Sequence, residues 1–162
     1  MRVLLAAALL VGVAHADVAT PTRARAKLPA GAVPRILLEQ WRKADNRGSC
    51  APVWFDDVPA TVRIRARTFA GGWGVTVTRP RRWGVAGAGV TASESDLAKW
   101  KFHRQNASGA RAGYGLEGFT MGPDWLAYVL VPGQSCLYNV WSSVGREQLE
   151  ELIDHLRVVD TR

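Results

Sequence analysis

Two cysteines, Cys50 and Cys136, are the first residues whose type could carry chemistry, and no others occur in the 162 residues. A cysteine nucleophile needs a thiolate stabilised by a nearby histidine or a helix N-terminus, and an orienting amide or carboxylate. Cys136 instead sits inside GQSCLYNVW, an apolar run with strand character. A zinc site asks for about four ligands, and neither C-x-x-C nor H-x-x-x-H spacing is present. One disulfide between Cys50 and Cys136 needs only an oxidising compartment. A staple is therefore expected, with no metal and no cofactor.

His103, in KFHRQN, is the candidate general base, and Glu117 is the carboxylate that would pair with it in a small secreted hydrolase. A solvated loop histidine is the simpler expectation, because a lone histidine names no reaction. Asp56 and Asp57 are adjacent, so on a strand end they face opposite sides and suit a turn. GVAGAG lacks the spacing of a dinucleotide fingerprint. Asn106-Ala-Ser fits the glycosylation pattern by chance in a chain read as bacterial.

Binding chemistry is better represented. In TVRIRARTF, Arg63, Arg65 and Arg67 alternate with Val62, Ile64 and Ala66, which predicts a strand with a cationic outer face. Side chains on one face of such a strand stand about 7 Å apart. Arg81 and Arg82 precede Trp83, a possible stacking platform for a sugar or base, and Tyr114 lies in the glycine-rich run AGYGLEGF. These arginines could track phosphates or uronates. A solvated sheet face is the simpler alternative.

The elements that must position these residues can be read in order. MRVLLAAALLVGVAHA has one basic residue, a short apolar run and the triplet Ala14-His15-Ala16, the pattern of a signal peptide cleaved after Ala16. The run is shorter than the roughly 20 residues of a membrane-spanning helix. The expectation is an exported chain, periplasmic or extracellular, without a transmembrane segment after cleavage. Loss of Arg2 would lower the net charge from +7 to +6, which favours anionic partners.

Residues 17–33 carry prolines and basic residues without periodicity and read as a flexible leader, so the domain is expected over 34–162. PRILLEQWRKAD places Leu37, Leu38 and Trp41 at helical spacing after Pro34. TVRIRARTF and WGVTVTR read as a hairpin joined at Ala70-Gly71-Gly72. From Pro80 to Gly118 the pattern fades: SESDLAKWKF suits one or two helical turns, and HRQNASGARAGYGLEG reads as an extended loop. WLAYVLV and QSCLYNVWSSV then read as strands, the latter with Cys136, Tyr138 and Val140 on one side and Leu137, Asn139 and Trp141 on the other. Leu149, Leu152, Ile153 and Leu156 form the apolar stripe of a final helix. The expected fold is α+β: an antiparallel meander sheet of about five to six strands, packed by an N-terminal and a C-terminal helix.

GGW (Gly71 to Trp73), AGYGLEG (Ala112 to Gly118) and GQSCLYNVWSSVGREQLEELIDHLR (Gly133 to Arg157) resemble a group of small uncharacterised secreted bacterial proteins. These share a Cys-Leu-x-Asn-x-Trp strand and a terminal helix. The resemblance implies an exported α+β domain and no activity; a looser likeness to PsbP-like and mycobacterial lipoprotein domains rests on pattern only. The function expected is a non-catalytic binding protein for an anionic or sugar envelope component, such as an anionic polysaccharide, lipopolysaccharide or cell-wall polymer. The hydrolase and a protein-interaction module are the alternatives. No specific nucleic-acid motif is present.

Overall fold

The computed structural model describes residues 26–79, 81–91, 93–119 and 122–162. The expected signal segment and most of the leader lie outside these residues. No described helix is long and apolar enough to cross a membrane.

The elements run β1 (Leu28–Pro29), a 3-10 turn (Ala30–Ala32), α1 (Arg35–Lys43), β2 (Val53–Phe55), β3 (Ile64–Phe69), β4 (Gly72–Val77), β5 (Trp83–Thr91), α2 (Glu94–Ala98), β6 (Phe102–Gln105), β7 (Arg111–Phe119), β8 (Gly122–Leu130), β9 (Cys136–Ser142), α3 (Arg146–His155) and β10 (Leu156–Asp160). Seven strands form one antiparallel sheet in the order β3-β4-β5-β9-β8-β7-β6, and β1-β10-β2 form a second, three-stranded sheet. The fold is α+β with more strands than the five to six expected. Nor is the large sheet one meander: β3-β4-β5 and β6-β7-β8-β9 are two meanders joined where β5 pairs with β9.

The extra strands come from the stretch expected to be irregular. GVAGAGV is most of β5, near the sheet centre, and HRQNASGARAGYGLEG supplies β6 and β7 rather than a loop. Glycine hid them because it weakens the alternation that marks a strand. Its use here is steric: a Cβ at Gly113 or Gly115 would press on Trp100, and one at Gly84 would collide with Trp141. Aromatic rings from neighbouring elements lie where these side chains would be.

The sheet's inner face forms the core. Val75, Val77, Val85, Ala127, Val129, Tyr138 and Val140 are buried there against Leu37 and Leu38 of α1 and Leu149 and Ile153 of α3. The small sheet packs on the same side through Trp54 and Phe55, whose rings lie 6.1 and 5.2 Å from Trp83. Order also begins before Pro34. Leu28 and Pro29 pair in parallel with Val159 and Asp160, and Val33 is buried, so the end of the expected leader belongs to the fold.

Cys50 and Cys136 are joined as a disulfide with Cα atoms 5.4 Å apart. The bond ties the segment after α1 to the start of β9. Trp41 donates from Nε1 to the Cys50 carbonyl at 2.9 Å, and Tyr138 donates to the Ala51 carbonyl at 2.9 Å.

Two polar clusters fix α3. Asn106 is buried; Nδ2 donates to the carbonyls of Ile153 and Leu156 at 2.8 and 3.2 Å, and Oδ1 accepts from Ser108 and the Ala110 amide. Both ends of this amide are thus engaged inside the fold. Arg104 holds Asp154 through two guanidinium nitrogens, and Glu150 accepts from Arg146 at 2.6 Å and from the Tyr114 hydroxyl at 2.5 Å. The Tyr114 bond, then the Arg146 bond, hold the Glu150 carboxyl below its ordinary value.

Candidate functional site

Strand alternation sends half of each strand's side chains away from the core, and the cross-strand register aligns them into rows. One row on the outer face reads Arg65, Thr76, Gly84, Trp141, Leu126 and Gly115. The next reads Arg67, Gly74, Ala86, Asn139, Tyr128 and Gly113. A third begins Phe69, Gly72, Ala88 and Leu137. Small residues thus occupy β4 and β5 where large ones stand to either side. The result is a shallow valley.

At the β6 end, α2 covers this face. Trp100 packs edge-on against Tyr128 with ring centroids 5.0 Å apart, and Ser93 starts the helix by donating its amide to Asp96 Oδ2 at 3.0 Å. Over β3, β4 and β5 no described element covers the face, which forms an open groove of about 830 Å³. Arg65, Arg67, Phe69, Thr76, Thr78 and Trp141 line it, and Ile36 of α1 reaches its rim.

Two aromatic rings lie along the groove. Trp141 lies over Gly84, which has no side chain to lift it, and Phe69 lies over Gly72 and Gly74. Phe69 is 37% exposed, as Ile36 is 38%, so apolar surface faces solvent here. Arg65 and Arg67 stand exposed on β3 beside these rings. No ion pair among the described residues engages either of them, nor Arg63 just ahead of the strand. Cationic charge that no described residue pairs thus adjoins ring faces and threonine hydroxyls.

The remaining candidates are placed differently. Arg82 Nη2 binds the buried Asp124 carboxylate at 2.7 Å, so its charge is already paired. Arg81 is exposed beside the start of α3, away from the groove. Trp83 points inward: it is 8% exposed between Trp54 and Phe55 and offers no stacking platform. Tyr114 also faces inward and is buried with its hydroxyl on Glu150. Alternation parts Trp83 from Arg82 by sending neighbours to opposite faces. Sequence reasoning missed Phe69 and Trp141 as surface residues, since aromatic residues in strand runs are core by default.

His103 and Glu117 are not brought together. His103 pairs in register with Gly113, four residues from Glu117, and the intervening stretch of strand is about 13 Å long. The His103 Nε2 atom lies 3.1 Å from the Leu97 carbonyl. A 500 Å³ cleft adjoins His103, yet the charged groups lining it are paired: Arg111 with Glu94 at 2.5 Å and Arg104 with Asp154.

The described residues also gather Asp56, Asp57 and His155 with donor atoms within 4.8 Å of one another. Arg157 already binds Asp56 Oδ2 at 2.9 Å, and His155 Nδ1 binds Asp56 Oδ1 at 2.5 Å. These acids are used as ion-pair partners that join the turn after β2 to the end of α3. Compared with known proteins, the chain matches no family model, no curated protein and no solved structure.

Proposed function

We propose that the protein is a non-catalytic binding protein of the cell envelope or exterior that takes an anionic ligand on the outer face of its large sheet. The observation that carries this reading is that Arg65 and Arg67, free of ion pairs among the described residues, line one open groove with the exposed Phe69 ring and the half-buried Trp141 ring. A guanidinium binds carboxylate or phosphate oxygens through paired, charge-assisted hydrogen bonds. The net charge, +7 for the full sequence and +6 after the expected cleavage, draws such ligands from a distance.

Export is part of the proposal. The N-terminal pattern and the disulfide both suit an oxidising compartment. A hydrolase built on His103 and Glu117 is the weaker reading, because the two residues lie apart along the sheet. Replacing Arg63, Arg65 and Arg67 together by alanine should weaken association with cell-wall or lipopolysaccharide fractions by at least about tenfold at low salt. Wild-type binding should fall steeply with added salt. Co-sedimentation checks this, and equal binding by the triple variant would defeat the proposal.

A further inference from the structure

Resting on the anionic-ligand reading, we infer that the groove's ligand is an acidic polysaccharide whose sugar rings carry carboxylates. The inference comes from how the arginines and the two ring faces are placed in the valley. The arginines stand on the β3 side, at the positions of Thr76 and Gly74, while Trp141 lies on the β5 side over Gly84. Phe69 lies across β4 at the far end. Trp141 thus faces the arginines from across the groove, while Phe69, on the same strand as Arg67, lies beside it over Gly72 and Gly74.

A polymer that fits must present acid on one edge and an apolar face elsewhere in each repeat. A uronate ring does this: its carboxylate projects from the ring edge, and the axial C–H bonds on one side form a flat apolar face. Arg65 and Arg67, about 7 Å apart on one strand face, can each take a carboxylate in a two-pronged contact. The rings of Trp141 and Phe69 offer flat surfaces for the apolar faces of the sugars. Thr76 and Thr78 line the same groove with hydroxyls that donate and accept, which suits the ring hydroxyls.

A phosphodiester chain is the less favoured ligand. Its affinity comes mainly from neutralising successive phosphates along a track, and the groove offers cations on one side only. Trp141 bounds the opposite side, Arg63 continues the β3 row without lining the groove, and Arg82 is held by Asp124. A small phosphorylated molecule would leave most of the 830 Å³ open.

The test uses the oxidised full chain and calorimetric titration with four probes: short oligogalacturonates, the same oligomers fully methyl-esterified, oligothymidylate, and dextran sulfate. The inference expects oligogalacturonate to bind, and esterification to weaken binding by at least about tenfold as the carboxylate contacts are lost. Phe69→Ala should weaken it by about tenfold, the usual size of a stacking contribution. Trp141→Ala should do the same; because it opens space above Gly84, Phe69→Ala with an unchanged circular-dichroism spectrum is the deciding variant. Equal binding of oligothymidylate or dextran sulfate, with no effect of Phe69→Ala, would overturn the polysaccharide inference and leave the anionic face standing. Absence of any Arg65- and Arg67-dependent binding among the charged probes would overturn both.

Discussion

Asn106 illustrates how much one side chain can organise. Its Nδ2 closes the carbonyls of Ile153 and Leu156 at the end of α3, and Arg157 adds bonds to Asp154 and Leu156 at 2.7 and 2.9 Å. Asn106→Ala would strip several satisfied buried groups at once and should cost about 2–4 kcal/mol. Hydrogen exchange should show the loss first at the C-terminal turn of α3. At Glu150, hydrogen bonds from Tyr114 and Arg146 depress the carboxyl pKa. A depressed carboxyl contributes stability that is present above its unfolded value, about pH 4.3, and lost as pH falls through the lower folded value. Acid titration of Glu150→Gln should show a shallower fall in stability below about pH 4.3 than the wild type; an identical acid limb would refute this. The roles of Asn106 and Glu150 are not legible in the sequence, because Ile153, which Asn106 holds, and Tyr114, which holds Glu150, lie 47 and 36 residues away in the chain.

Elements differ in how openly the sequence displays them. The alternation of TVRIRARTF gave β3 its register and placed Arg65 and Arg67 on the outer face, and the i, i+3, i+4 stripe marked α3. Cys136, Tyr138 and Val140 turn inward along β9 as their alternation requires. Glycine-rich β5 and β7 were hidden because their small residues answer to rings on other elements. Gly84→Val tests that explanation. A Cβ there meets both the Val75 carbonyl and the Trp141 indole, so the variant should lose about 1–3 kcal/mol by overpacking. It should also tilt Trp141 off the groove floor and reduce ligand binding. Thermal melting with binding measured alongside separates the two effects; a variant as stable as the wild type would mean that glycine at this position serves no packing need.

On the scale of the whole molecule, one covalent bond closes most of the sheet. Cys50 and Cys136 are 86 residues apart, and in the chain-entropy model a loop of that size stabilises by about 4–5 kcal/mol. Cys50→Ser with Cys136→Ser should lower the melting temperature on the order of 15 °C, read by calorimetry against the oxidised wild type. Pairing was legible because two cysteines in a chain read as exported allow one bridge only. The sequence by itself determined this staple, the amphipathic faces of α1 and α3, and the outward direction of Arg65 and Arg67, since each follows from local spacing or from a count. Only the tertiary structure decided which arginines stay free of ion pairs among the described residues, that Trp83 and Tyr114 turn inward, and that Phe69 and Trp141 line the groove over glycines. Those outcomes depend on which strands become neighbours: β5 ends at Thr91 and pairs with β9, which begins only at Cys136, and nothing local to either strand encodes that meeting.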